Sequence, residues 1–262
     1  IKVTTGVRRC GKSFFTYLIL KERPFGYANF DDERILTDKP QKILSALLEI
    51  YGKGMKVLFF DEIQNLEKWE LFVNRLHREG YNIFLTGSNA KLLSRELATH
   101  LTGRHYSIEL FPFSFREYLK ATDFKENLQI EKGKALVKHE LNNYLKTGGF
   151  PEIIVEKENP KIYLRELFRD IIEKDIILRY NIRYRRTFKE IASAIVSNTS
   201  SLISFNKIKN NFGLKSEHTA KNYIEYLKEA YLIILLDKFS VKPKEIERSP
   251  KKAYAVAVSY RH

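Results

Sequence analysis

The sequence predicts an α/β fold with a five-stranded parallel sheet. Short apolar segments typical of buried strands alternate along residues 1–110 with segments whose apolar residues recur at helical spacing. Two of these strands lead into polar motifs, GVRRCGKS at residues 6–13 and DEIQ at residues 61–64. Strands that alternate with helices on short connections make right-handed crossovers, so we expect a parallel sheet that binds ligands at the carboxyl ends of its strands.

The individual elements follow from the same periodicity. Apolar strand-like segments occur at residues 1–4, 26–30, 56–60, 81–86 and 106–110. Helical spacing of apolar residues occurs at residues 14–20, 43–51, 69–76 and 92–101. The second of these helices should end at the glycines Gly52 and Gly54.

The motif at residues 6–13 matches G-x-x-x-x-G-K-[ST], a pattern whose backbone amides and following helix dipole face a polyphosphate. The pattern alone also occurs in plain turns, but the strand before it and the helix after it favour phosphate binding. We predict that Lys12 reaches the β- and γ-phosphates of ATP and that Ser13 holds Mg²⁺. The predicted nucleotide-binding residues are Gly6, Val7, Arg8, Arg9, Cys10, Gly11, Lys12, Ser13 and Phe14.

Two adjacent acids follow the apolar run of the third strand. Asp61 is placed to hold the water shell of Mg²⁺, and Glu62 to polarise a water for in-line attack on the γ-phosphate. The alternative is that both residues begin a solvated turn. Their pairing with an upstream phosphate loop favours the catalytic interpretation, and two neighbouring carboxylates imply a bound divalent cation because they repel each other.

Composition limits the class of protein. The 262 residues are 44% hydrophobic and 30% charged, which excludes a disordered chain. The single cysteine, Cys10, cannot form an internal disulfide, so we expect a reducing, cytoplasmic location. We expect no membrane partner, because no apolar stretch approaches the roughly 20 residues of a membrane span. The chain starts at Ile1 without methionine, so we also expect a missing N-terminal segment and allow for a missing C-terminal one.

The positive charge is concentrated near the C-terminus. The net charge of the chain is +14. Residues 181–262 contribute +9, from 16 basic and 7 acidic residues, whereas residues 1–180 contribute +5, from 30 basic and 25 acidic residues. This asymmetry is typical of a nucleic-acid-binding tail domain and predicts a DNA partner. A general compositional bias is the alternative.

The remaining pattern predicts three domains, at residues 1–120, 121–182 and 183–262. The middle one is mostly helical. In the last, helical spacing at residues 188–196, 204–212 and 216–227 precedes strand-like segments at 232–239 and 253–258, with a charged loop at 242–252 between them. Three helices followed by a hairpin are the layout of a winged helix-turn-helix.

Taken together, several segments identify a family. The sequence resembles the AAA+ class of P-loop ATPases, and within it the archaeal and bacterial ATPases in which the core precedes a helical lid and a winged helix. The segments that carry the resemblance are GVRRCGKS at 6–13, FFDEIQNLEKWE at 59–70, FLTGSNAKLLS at 84–94, LTGRHYSIELFPFSFREYL at 101–119, GGFPEI at 148–153 and LRELFRDIIEKDIILRY at 164–180.

The resemblance implies further catalytic residues. Ser88 or Asn89 corresponds to the polar sensor that positions the attacking water, although either could be an ordinary turn residue. Arg104 stands where this class commonly places an arginine finger that acts in a neighbouring subunit, which implies a homo-oligomer. An ion pair with Glu109 is the alternative for Arg104. No lid arginine that senses the nucleotide can be assigned between Arg165 and Arg169.

Two classes of function follow. The first is a Mg²⁺-dependent ATPase that acts on DNA through its winged helix. The DNA-facing residues would be Lys215, His218, Lys221 and Asn222 on the third helix and Lys242, Lys244, Arg248, Lys251 and Lys252 in the wing. The second is a switch operated by ATP and ADP, in which the winged helix packs against a protein partner. A small-molecule kinase is a third, weaker alternative, because Glu62, Ser88 and Asn89 suit activation of water.

Overall fold

The computed structural model describes residues 1–36, 40–88, 105–126 and 129–256. It divides the chain into two compact units, Ile1–Phe111 and Pro112–His262. Within the described residues, we find no helix whose length and apolarity would let it cross a bilayer.

The first unit contains a five-stranded sheet in which every strand pair is parallel. The strands are β1 (Lys2–Gly6), β2 (Gly26–Asn29), β3 (Val57–Asp61), β4 (Asn82–Gly87) and β5 (Tyr106–Leu110). Their spatial order is β2-β3-β4-β1-β5, so β4 lies between the strands that carry the two polar motifs. The predicted α/β fold with a five-stranded parallel sheet is therefore confirmed.

Among the residues described, four helices and one 3₁₀ turn connect these strands. They are α1 (Lys12–Leu20), α2 (Glu33–Leu36), α3 (Pro40–Tyr51), the 3₁₀ turn (Ile63–Asn65) and α4 (Trp69–Arg78). The buried faces of α3 and α4 pack on the sheet, where the ring of Phe60 on β3 stacks on Phe72 of α4 at 5.5 Å. The helix predicted at residues 92–101 lies outside the described residues.

The second unit begins with helices. They are α5 (Phe115–Ala121), α6 (Glu131–Thr147), α7 (Pro151–Val155), α8 (Pro160–Asp170) and a π-helix (Ile171–Leu178) that continues α8. A capping box formed by Ser114 and Glu117 begins α5. On α8, Arg169 forms an ion pair with Glu166 one turn earlier, a surface arrangement of the kind that balanced charge on a helix predicts.

The described C-terminal part of this unit contains four helices and a small sheet. The elements are α9 (Arg185–Ser197), β6 (Ser201–Ile203), α10 (Phe205–Asn211), α11 (Glu217–Glu229), β7 (Ile233–Leu236), α12 (Pro243–Arg248) and β8 (Lys251–Ala255). The three strands are antiparallel in the order β6-β8-β7. The predicted charged loop contains α12, which Pro243 begins because proline fixes the helical φ at a first position. The winged helix stays a prediction.

Candidate functional site

The backbone turns tightly between β1 and α1, because two glycines adopt backbone conformations that are unfavourable for residues with a side chain. Gly6 has φ 143°, and a Cβ added there would lie 1.9 Å from the backbone oxygen of Leu110 on β5. Gly11 has φ 91° and lies directly before the first residue of α1. Residues 6–11 thus form a compact loop at the N-terminus of a helix, where backbone amides favour an anion.

Lys12 is the first residue of α1 and is only 5% exposed. Its Nζ donates a hydrogen bond to the carbonyl oxygen of Val7 at 3.0 Å and lies 4.0 Å from Oε1 of Glu62. A buried ammonium needs such partners, and its three N–H donors leave capacity for an additional acceptor such as a phosphate oxygen.

Asp61, at the end of β3, is 5% exposed and accepts hydrogen bonds from three hydroxyl groups. Ser13 Oγ donates to Oδ1 at 2.8 Å, Thr86 Oγ1 also donates to Oδ1, and the Tyr27 hydroxyl donates to Oδ2 at 3.2 Å. The donors come from α1, β4 and β2, so the carboxylate joins the loop to the neighbouring strands. A serine hydroxyl that donates its proton to Asp61 still has lone pairs for a cation.

Glu62 follows in a left-handed conformation with φ 49°, which is uncommon for a residue with a side chain. Its backbone N–H donates to Thr86 Oγ1 at 3.1 Å, and its Oε2 accepts a hydrogen bond from Gln64 Nε2. These contacts hold the strained residue so that its carboxylate lies beside Lys12, and such strain is a feature of functional sites.

Two groups near the loop keep their protons. Burial, and then the charge of Asp61, raises the pKa of the Tyr27 phenol. Burial also raises the pKa of the Cys10 thiol, against the opposing effect of Lys12, and the thiol donates to the Leu110 carbonyl at 3.2 Å. Tyr27 and Cys10 are therefore neutral hydrogen-bond donors at neutral pH.

Comparison with known proteins gives the family. Residues 1–119 match the AAA domain family, and residues 138–261 match a family described as a domain of unknown function. The chain is 31% identical to an uncharacterized protein of Haemophilus influenzae over 277 residues, which cover 98% of this chain and 67% of that protein. The chain belongs to the AAA+ class of P-loop ATPases.

This chain is also similar to a second curated protein in sequence and to a solved structure in fold. The chain is 42% identical over 264 residues to the uncharacterized protein MJ1544 of Methanocaldococcus jannaschii, and this covers 95% of the chain but 59% of that relative. The solved structure of the Walker-type ATPase Paby2304 of Pyrococcus abyssi is similar in fold, with a TM-score of 0.60 at 15% identity, covering 98% of this chain and 89% of that one. This chain therefore spans about three fifths of the length of MJ1544.

Several of the predicted site residues lie close together in this structure. Lys12, Ser13, Asp61 and Glu62 lie within one network of contacts, with Gly6 and Gly11 shaping the loop. Phe14 is 65% exposed on the outer side of α1. Asn89 and Arg104 lie outside the described residues.

Ser88 is placed just beyond β4 and is 2% exposed. Its Oγ has no hydrogen-bond partner in the part of the chain that the structure describes. An unpaired buried hydroxyl calls for a ligand, and the position of Ser88 beside the end of β3 suits contact with a nucleotide or its attacking water.

Sequence reasoning missed three residues that touch the acids: Tyr27, Gln64 and Thr86. Thr86 is the only polar residue in the apolar run IFLT, a signal that could have been read once β4 was placed beside β3. Tyr27 gives no such signal, because an aromatic residue in a strand is ordinary.

The side chains present fit Mg²⁺. Ser13 and Asp61 offer hydroxyl and carboxylate oxygens, the hard ligands that this cation uses alongside water and phosphate. No cluster of three or more His, Cys, Asp or Glu side chains that could hold a metal ion occurs among the residues described.

Proposed function

We propose that this protein binds ATP with Mg²⁺ and hydrolyses it. The 2.8 Å hydrogen bond between Ser13 and Asp61 carries the proposal, because it joins the phosphate loop to the acidic end of β3. The same contact supports one shared cation position. Lys12, 4.0 Å from Glu62, supplies the positive charge that the β- and γ-phosphates require.

Each residue has a defined role in binding. The amides of residues 6–13 surround the phosphates, and Arg8, Arg9 and Cys10 form the variable part of this loop. Ser13 would ligate Mg²⁺ through its hydroxyl oxygen, while Asp61 would accept the hydrogen bond of Ser13 and hold a water of the metal shell. When bound, the cation would neutralise charge on the phosphate oxygens.

Hydrolysis then needs a base and an oriented water. Glu62 takes a proton as the water oxygen bonds to the γ-phosphorus, and the bond from that phosphorus to the bridging oxygen breaks, so that ADP leaves with the electron pair. Ser88, together with Asn89, would position the water. Arg104 would stabilise the γ-phosphate charge from a neighbouring subunit, which makes a homo-oligomer the active form.

Measurement of phosphate release tests this proposal directly. We expect turnover with Mg²⁺ and none with EDTA. Lys12→Ala should lose both nucleotide binding and turnover, whereas Lys21→Ala, on an exposed lysine just after α1, should retain both. Wild-type protein that binds ATP with Mg²⁺ and releases no phosphate would refute the ATPase assignment.

We also propose that the C-terminal helices bring DNA to the ATPase. Lys215, His218 and Lys221 are exposed at and beside the start of α11, and Asn222 is half-buried. In the wing, by contrast, Lys251 pairs with Asp237 and Lys242 with Glu245. Of the other predicted wing residues, Lys244 and Lys252 are exposed, and the side chain of Arg248 lies outside the described set. The exposed positive charge thus lies both around the start of α11 and at Lys244 and Lys252.

The salt dependence of DNA affinity tests this assignment. Each neutralised phosphate contact should reduce the slope of log K against log salt by about 0.9. Replacing Lys215 and Lys221 with Gln should therefore lower the slope by about 2, whereas replacing Lys242 and Lys251, whose charges are already paired, should change it less. Equal slopes for wild type and the Lys215 and Lys221 variant would exclude DNA contact through α11.

A nucleotide-operated switch that binds a protein partner is the second candidate. Phe239 is 93% exposed and Val241 88% exposed, and both lie between β7 and α12. Exposed apolar side chains next to paired charges suit a protein surface better than a phosphate backbone. Only the DNA hypothesis predicts that duplex DNA stimulates turnover, so ATP hydrolysis with and without DNA separates the two candidates.

In either case the neutral, buried Cys10 thiol suits the reducing cytoplasm that we propose as the location.

A further inference from the structure

We propose that Gln64 is a second catalytic group of the site: its amide nitrogen holds Glu62, and its amide oxygen accepts a hydrogen bond from the attacking water. This inference rests on the proposed ATP hydrolysis. Its support comes from three features of the turn that follows β3: a contact to Glu62, an unpaired buried oxygen and a fixed backbone.

The contact with Glu62 determines which way the Gln64 amide faces. Nε2 of Gln64 donates to Oε2 of Glu62. An ionised carboxylate only accepts hydrogen bonds, so the amide nitrogen and not the amide oxygen must face it. Oε1 of Gln64 therefore points away from Glu62 and is available to another group.

That oxygen is buried and has no hydrogen-bond partner among the described residues. A buried acceptor without a partner destabilises a folded chain, so its presence calls for an explanation in the bound state. The Ser88 hydroxyl is also buried and unpaired, and it follows β4, the strand that pairs with β3. Two buried polar atoms without partners among the described residues thus follow neighbouring strands of the sheet, and Glu62 follows one of these strands directly.

The backbone beneath Gln64 is fixed on both sides. Ile63 is fully buried, and Asn65 Nδ2 donates to the carbonyl oxygen of Phe30 at 3.2 Å and to Oδ1 of Asp31 at 2.7 Å. The Asn65 amide N–H also donates to the Glu62 carbonyl at 3.1 Å. The turn is therefore tied to the loop after β2, and the Gln64 side chain is preorganised before substrate binds.

A water nucleophile needs two acceptors. Glu62 removes one proton, and the second hydrogen must point at another acceptor so that an oxygen lone pair faces the γ-phosphorus. A neutral amide oxygen does this without taking the proton, since an amide is not basic. Gln64 thereby orients the water and, through Nε2, keeps the Glu62 carboxylate in its reactive position.

Two variants separate this role from a structural one. Gln64→Met keeps the volume but removes both hydrogen bonds, and Gln64→Glu keeps the shape and an acceptor but replaces the donor with a second carboxylate. We expect ATP affinity within about 2-fold of wild type in both, with kcat lowered about 10- to 100-fold in Gln64→Met. Gln41→Met, on the exposed side of α3, is the matched control and should keep the wild-type kcat.

The split between kcat and KM gives the decisive readout. Orientation of the water affects only the chemical step, so Gln64→Met should lower kcat and leave the KM for ATP within about 2-fold of wild type. Gln64→Glu loses the donor that holds Glu62, so its kcat should fall as well. A merely structural role also disturbs the phosphate site and lowers ATP affinity together with kcat.

Three outcomes would overturn the inference: a loss of ATP affinity as large as the loss of kcat, a kcat unchanged from wild type, or a kcat loss that follows the fraction unfolded in thermal melts. Absence of ATP hydrolysis in the wild-type protein would instead refute the proposed function itself. The two failures are therefore distinguishable in the same experiment.

Discussion

The Ser13 hydroxyl and the Asp61 carboxylate are hydrogen-bonded at 2.8 Å, although the two residues are 48 positions apart in sequence. Ser13 lies in the first turn of α1, and Asp61 ends a strand that is separated from β1 by β4. The contact depends on the crossover from β1 to β3, so it ties the phosphate loop to the acids through the fold itself.

The roles of Lys12 and Glu62 should separate on substitution. Glu62→Gln removes the base but leaves an uncharged side chain of the same shape, so we expect ATP affinity to stay near wild type while kcat falls at least about 100-fold. Equilibrium binding of ATP and single-turnover hydrolysis measure the two effects. Loss of affinity as large as that in Lys12→Ala would contradict the assignment of Glu62 as the base.

We expect Tyr27 to affect the Mg²⁺ concentration that turnover requires. Tyr27→Phe removes the hydroxyl that donates to Oδ2 of Asp61, and this oxygen then becomes freer to rotate. We expect the Mg²⁺ concentration for half-maximal turnover to rise about 3- to 10-fold, because a group that orients a metal-site carboxylate affects affinity on this scale. Tyr106→Phe, at a tyrosine 77% exposed on β5, is the control. ATP binding in EDTA should be the same in all three proteins.

The two loop glycines should differ in their contribution to stability. In Gly6→Ala the new Cβ would lie 1.9 Å from a backbone oxygen of β5, so we expect a loss above about 3 kcal/mol in the free energy of unfolding. Gly11→Ala meets no atom within 4 Å and has only its φ of 91° to accommodate, so about 1 to 2 kcal/mol should be lost. Urea unfolding measures both values. Equal losses would mean that the loop does not approach β5 as closely as described.

Cys10 should be unreactive in the folded protein. Burial raises the pKa of its thiol, so the thiolate fraction at pH 8 is smaller than in an unfolded chain. We expect iodoacetamide to label native protein at least about 10-fold more slowly than protein in urea, with the rate rising as pH increases, since one pKa unit changes the thiolate fraction about tenfold. Native labelling at the unfolded rate would indicate an open phosphate loop.

The main elements of the core were readable from the sequence because their signals are local. Residues 57–60 of β3 are a continuous apolar run, and α4 shows Trp69, Phe72 and Val73 at helical spacing. The loop residues Lys12 and Ser13 are fixed by a motif whose chemistry determines its spacing. Hydrophobic pattern and motif therefore suffice for the sheet and for the four central site residues.

The remaining contacts depend on which strands become neighbours. Thr86 and Tyr27 reach Asp61 only because β4 and β2 flank β3, and strand order is not a local property of the sequence. The Gln64 side chain contacts Glu62 because Glu62 adopts a left-handed backbone conformation, and the sequence does not predict this conformation at a glutamate. Tertiary geometry determines these three residues, so sequence pattern alone missed them.

Short or irregular elements escaped prediction for a different reason. β6 has three residues, too few to show alternation, and it exists because it pairs with β8. The π-helix at Ile171–Leu178 differs from an α-helix in its hydrogen-bond register, while its apolar spacing remains compatible with either. Such elements are set by backbone pairing and not by side-chain periodicity.

A double-mutant cycle between Ser13 and Asp61 tests the shared cation site most directly. ATP affinity is measured with Mg²⁺ and with EDTA in wild type, Ser13→Ala, Asp61→Asn and the double variant. We predict that Mg²⁺ strengthens ATP binding in the wild type, that each single change removes most of this gain, and that the double variant is little worse than either, which gives a coupling of about 1 to 3 kcal/mol. Additive losses, or a Mg²⁺ gain that survives both changes, would show that the phosphate loop and the acidic strand end do not share one ion.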